Sequence, residues 1–155
     1  MEDRHALRKN LSEVLQQQLR LIARLDSSVQ EQLTAATLAD MDKVNDLASQ
    51  LAPLSEELEG CQLLVEELEV QVMVAYEQVS PREAQQEMAN CLVLRQERDD
   101  RYQLLMEKQQ ALVFELTKHL NSLTAEGRRL LQTTEAYHSY RNAAQPTSQI
   151  LSTRK

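Results

Sequence analysis

Tryptophan is absent from this chain of 155 residues, phenylalanine occurs once, glycine twice and proline three times. A domain of this length ordinarily carries about 11 glycines and about 8 prolines. Those residues supply positive φ angles, preset turns and close backbone approaches. Their scarcity excludes folds that reverse direction often, such as sandwiches, barrels and doubly wound α/β sheets. It also excludes glycine-rich phosphate loops and nucleophile elbows, because Gly60 and Gly127 stand alone. Long helices remain.

Other absences narrow the class further. The longest uninterrupted apolar run is Val72-Met73-Val74-Ala75-Tyr76, far short of the roughly 20 residues of a membrane span. The opening Met-Glu-Asp-Arg-His lacks the basic-then-apolar order of a secretory signal. Two cysteines, Cys61 and Cys91, make no disulfide framework and no metal-ligand spacing, so a reducing, cytosolic location is expected. If the chain reverses at Ser80-Pro81, the two lie about nine residues out of register, or about 13 Å, too far apart for a disulfide. The net charge of −7 argues against nucleic acid as a partner.

The charge is unevenly spread. Residues 1–79 carry 15 acids and 6 bases, whereas residues 80–155 carry 9 acids and 11 bases. No basic residue occurs between Lys43 and Arg82. This acidic stretch is either a solvated helix face or a docking surface for a partner.

Periodicity predicts three helices. The first runs from about Asp3 to Ala36, with Leu7, Leu11, Val14, Leu15, Leu21, Ile22, Leu25, Val29 and Leu33 on one stripe. Gln18 interrupts that stripe, where a buried amide can fix register. After a break near residues 34–40, with Thr37 and Asp40 as candidate N-caps, the second helix carries a heptad seam. It comprises Val44, Leu47, Leu51, Leu54, Leu58, Cys61, Val65, Leu68, Val72, Ala75 and Val79. Pro53 lies off the seam and is expected to kink this helix or to mark a start. Ser80-Pro81-Arg82-Glu83 reads as a capping box with proline at the first helical position, so a third helix begins there, antiparallel to the second. Its seam is Ala84, Met88, Cys91, Arg95, Arg98, Tyr102, Leu105, Gln109, Leu112, Leu116, His119 and Leu123.

The charged run Arg95–Arg101 cannot enter a dry core, so an open bundle, or one only two helices thick, is expected there. Leu104, Met106, Val113, Phe114 and Leu120 broaden the apolar arc beyond Tyr102, which suggests more than one packing neighbour. Residues 128–141 form either a continuation of the third helix or a separate short amphipathic one. The expected fold is all-α: an elongated, antiparallel, three-helix coiled-coil-like bundle with a short C-terminal amphipathic helix. Residues 1–141 make one domain, and residues 142–155 a flexible tail.

Chemistry finds little purchase in this pattern. Glu115 and His119 stand at i, i+4 without a third ligand in a recognisable metal motif. Adjacent carboxylates such as Glu66-Glu67 and Asp99-Asp100 point about 100° apart on a helix, unlike an acid–base pair. No catalytic residue, metal or cofactor is expected, and the chain reads as a non-enzyme. The surplus is apolar instead. Leu63, Leu64, Val70, Met73, Val74 and Tyr76 lie off the second seam, among Glu66, Glu67 and Glu69. A third helix covers that face, or a partner does. Leu130, Leu131, Tyr137 and Tyr140 pose the same choice.

The order of these features resembles the FlgN family of flagellar export chaperones. The likeness is carried by Leu38-Ala39-Asp40-Met41-Asp42-Lys43, Leu47-Ala48-Ser49-Gln50-Leu51, Leu54-Ser55-Glu56-Glu57-Leu58-Glu59, Leu105-Met106-Glu107-Lys108-Gln109-Gln110-Ala111-Leu112 and the closing Tyr137-His138-Ser139-Tyr140. It covers roughly residues 10–141. The resemblance implies a helical protein of the bacterial cytoplasm that masks the assembly-prone terminal helices of hook-filament junction proteins. These clients are hook-associated proteins of the FlgK and FlgL type, delivered to the flagellar export apparatus. Client-contacting surface in the family lies largely in the C-terminal part, matched here by Leu130, Leu131, Tyr137 and Tyr140. Leu63, Val70 and Val74 add a second candidate surface from the residue pattern itself. A structural coiled-coil subunit of a larger assembly and a homodimeric scaffold are the alternatives.

Overall fold

A computed structural model describes residues 3–144 of the chain. It is all-α, with three helices: α1 (Arg4–Thr37), α2 (Met41–Ala75) and α3 (Pro81–Ala144). Each start has a local cause. Asp3 accepts from the His5 N–H at 3.1 Å at the head of α1, and Asp40 accepts from the Lys43 N–H at 3.2 Å at the head of α2. Ser80 Oγ accepts from the Glu83 N–H at 3.3 Å, and Pro81 opens α3. These contacts satisfy N–H groups that lack a partner within their own helix. The α1–α2 connection closes through Ala39 at φ 57, with the Asp40 N–H donating to the Ala35 carbonyl at 2.9 Å.

Contacts at matched heights fix the helix directions within residues 1–115, which form one compact unit. Gln18 reaches Gln62, and Gln32 reaches the Val44 carbonyl, so α1 and α2 are antiparallel. Tyr76 meets Glu87 and Glu69 meets Arg95, so α2 and α3 are antiparallel. Arg8 meets the Glu87 carbonyl and Asp26 meets Lys108, which makes α1 and α3 parallel. The core follows the expected seams of α1 and α2 with off-seam Tyr76 added, whereas Arg95 and Tyr102 of the expected α3 seam are exposed. Leu7, Leu11 and Leu15 of α1 pack with Val65, Val72 and Tyr76 of α2 and with Cys91 of α3. Both cysteines are buried and free, and burial raises both thiols, Cys61 further through nearby Glu57.

Several expectations need correction. α2 is continuous through Pro53, so of the two expectations for that residue the helix start is excluded. Around Arg98 the unit is three helices thick rather than two, joined by a polar layer beside an open pocket of about 370 Å³. Gln18, 1% exposed, donates to Gln62 Oε1 at 2.9 Å and accepts from Arg98 Nη1 at 3.1 Å. Arg98 Nη2 also pairs with Asp99 at 2.7 Å. The charged run is tolerated because Arg98 alone enters this layer with its hydrogen bonds made, while Gln96, Glu97, Asp99, Asp100 and Arg101 stay exposed.

α3 also runs unbroken through Gly127, so residues 128–141 continue it rather than form a separate helix. Asn142–Ala144 are helical too, and the remainder of the expected tail lies outside the described residues. Residues from Leu116 onward form a second unit.

Candidate functional site

The surface of interest is made of side chains that the helical pattern leaves over. On α2, Leu63, Val70 and Val74 recur at steps of seven and four, away from the seam of Cys61, Val65, Leu68 and Val72. All three are exposed, as are Leu64 and Met73. No helix of the first unit covers them. Tyr76 differs from the expectation: it is buried, and its hydroxyl donates to Glu87 Oε2 at 2.6 Å. Arg4 lies over its ring at 5.5 Å and reaches to 3.8 Å from Glu87. Burial, followed by the hydrogen bond to Glu87, pushes the Tyr76 hydroxyl up to about 12. The same hydrogen bond, helped by Arg4 and Arg8, holds the Glu87 carboxyl below its usual range.

Val70 and Val74 form one wall of an open groove of about 790 Å³, whose other walls include Arg4, Leu7, Val79 and Glu83. Leu63 stands on the same helix face but outside this groove. The groove sits at the end of the unit where the α2–α3 turn meets the start of α1. Its lining joins an apolar floor to one cation and one carboxylate. That composition suits a helical or extended segment with an amphipathic face better than it suits a small polar substrate.

The second unit carries the other four expected residues. Every described residue from Leu120 to Asn142 is exposed. Leu130 and Leu131 are 64% exposed, Tyr137 62% and Tyr140 80%. Leu120, Leu123, Leu130 and Tyr137 lie on one stripe at steps of three or seven. The threonine hydroxyls nearby turn inward to their own helix. Thr124, Thr133 and Thr134 donate to the carbonyls of Leu120, Arg129 and Leu130 at 2.8–2.9 Å. They leave the stripe free of competing polar contacts. Tyr137 and His138 meet edge-on, with ring centroids 6.1 Å apart.

The seven residues therefore fall into two groups: Leu63, Val70 and Val74 in the first unit, and Leu130, Leu131, Tyr137 and Tyr140 in the second. Sequence reasoning missed further members. Leu104, Met106, Val113, Phe114 and Leu120 were expected beneath extra neighbours, yet all are exposed, and Leu123 is exposed despite its seam position. Lys108 pairs with Asp26, well before α1 ends at Thr37, so Leu104, Val113 and Phe114 run alongside α1 on faces that it does not cover. The missing signal was which faces of α3 find a neighbour. Among the described residues, no group of three or more His, Cys, Asp or Glu side chains is placed to hold a metal ion. No helix among them is long and apolar enough to cross a membrane. No protein-family model, curated protein or solved structure matches this chain.

Proposed function

We propose that this chain is a non-enzymatic export chaperone of the bacterial cytoplasm, which shelters amphipathic terminal helices of secreted flagellar hook-filament junction proteins. One observation carries the reading: the helical stretch from Leu120 to Asn142 is exposed throughout while it displays Leu120, Leu123, Leu130, Leu131, Tyr137 and Tyr140. Four of them, Leu120, Leu123, Leu130 and Tyr137, stand in one row, which exceeds what scattered surface residues need and favours an added helix. The α2 face around Leu63, Val70 and Val74 offers a second contact of the same kind. A client would bury its apolar face against these stripes and would thereby be kept from premature assembly. Release at the export apparatus would require modest affinity, which an interface built mainly from one helix face provides.

The test is binding of the terminal helices of hook-associated proteins, measured by calorimetry together with amide hydrogen exchange of this chain. Micromolar binding that protects residues 116–142 is expected, with affinity lost at least about tenfold in Leu131→Ala/Tyr137→Ala, two truncations of about 1 kcal/mol or more each. Unchanged affinity in that variant would remove the proposed site.

A further inference from the structure

The two uncovered apolar surfaces differ in charge. On α2, the positions Glu59, Leu63, Glu66, Glu67, Val70 and Val74 follow one another at steps of one, three or four and share a broad face. The three glutamates are exposed, as is Glu77 in the turn just beyond the helix, and no base occurs on the helix beyond Lys43. The exposed end of α3 has the opposite balance: Lys118, Arg128, Arg129 and Arg141 against Glu126 and Glu135. Arg128 stands one turn before Leu131, and Arg141 one turn after Tyr137. Among the described residues, none of these charges takes part in an ion pair. The lengths also agree. Glu59 to Val74 spans about 22 Å of α2 and Arg128 to Arg141 about 20 Å of α3, at 1.5 Å per residue.

We propose that the basic, apolar end of α3 docks on the acidic, apolar face of α2 in a second copy of this chain. Each surface then meets both apolar side chains and opposite charge, the pairing that sets both orientation and encounter rate. Each copy carries both halves, so the contact is either reciprocal, closing a two-fold dimer, or propagates head to tail. The association involves no client, and its test is independent of the chaperone reading.

Sedimentation velocity of the whole chain, from about 1 μM to about 1 mM, reads the association directly. Mass is expected to rise with concentration at low ionic strength and to fall back with added salt, because the marginal ion pairs are screened. Glu59→Lys/Glu66→Lys/Glu67→Lys makes both surfaces basic, and Arg128→Glu/Arg141→Glu makes both acidic. Each variant alone should associate at least about tenfold more weakly than the unaltered chain. Mixed in equal amounts they should associate again, since each then meets its complement. All substituted positions are exposed, and far-ultraviolet circular dichroism confirms that both variants remain folded. A chain that stays monomeric throughout, reversals without effect, or a mixture no heavier than its components would each overturn the proposal. Insensitivity to the α2 reversal alone would place the contact between two α3 ends and overturn it equally.

Discussion

The buried polar layer makes the sharpest demand on the energetics of the bundle. Gln18 is enclosed, donates to Gln62 and accepts from the Arg98 guanidinium. Replacing it with leucine removes a neutral hydrogen bond of about 1 kcal/mol and a charge-assisted one of about 1.5–3 kcal/mol. Against this, a fully buried leucine contributes about 1.5–3 kcal/mol of transfer free energy. Gln62 is exposed and regains water, but the Arg98 side chain, 12% exposed, keeps only Asp99. The desolvated cation decides the balance, so Gln18→Leu should destabilise by about 1 kcal/mol. Arg98→Leu in that background should remove the stranded charge and recover stability, giving a coupling energy of about 1.5–3 kcal/mol in the double-mutant cycle. Urea unfolding followed by circular dichroism at 222 nm provides the assay, since the chain has no tryptophan to report fluorescence. A coupling below about 0.5 kcal/mol, the scatter of independent sites, would refute the layer as a cooperative unit.

Two further outcomes follow from the same structure. The Tyr76 hydroxyl is raised to about 12 from an ordinary value of 10. Its contribution is therefore complete below pH 10 and lost as pH rises toward about 12. Tyr76→Phe should lose about 1 kcal/mol at neutral pH and show less alkaline destabilisation in that window, measured by urea midpoints at each pH. Leu105, 2% exposed, and Leu130, 64% exposed, share a helix and a residue type. Leu105→Ala should cost about 2–5 kcal/mol and Leu130→Ala no more than about 0.5 kcal/mol by the same unfolding measurement. Equal effects would contradict the burial difference along α3.

Much of the fold was legible because helix periodicity and capping are local. The seam of α2 emerged position by position: Val44, Leu47, Cys61, Val65 and Val72 are buried and its remaining members half-buried. Ser80 and Pro81 start α3 for the reasons their chemistry gives. The polar layer was half legible. Gln18 stood out as a break in its stripe, but nothing local named Gln62 and Arg98 as its partners, because contacts between helices depend on register. Tyr76 illustrates the same limit. Counted along α2 it lies off the seam, yet at the C-terminal end of that helix it turns toward Glu87 on α3 and Arg4 on α1. The coverage of α3 was the least legible feature. A heptad pattern states which residues suit a neighbour, without stating whether a neighbour is present.

That last distinction bears on what the end of α3 is for. A helix with no tertiary contact is held by its backbone bonds and by propensity, both weak in water. Gly127 lies within this exposed stretch with no positive φ, and a Cβ there would meet open space. Neither turn geometry nor packing within the chain calls for glycine at this point, and it costs about 1 kcal/mol of helix stability relative to alanine. The stretch thus combines large apolar side chains with a residue that weakens the helix displaying them. A self-sufficient surface helix has use for neither. A helix completed by a partner has use for both, because the partner supplies the missing burial and a glycine lets another backbone approach. On the proposed reading, the stability withheld in the free chain would become a gain on association, and occupancy of this surface would be coupled to how firmly residues 116–142 hold their helical form.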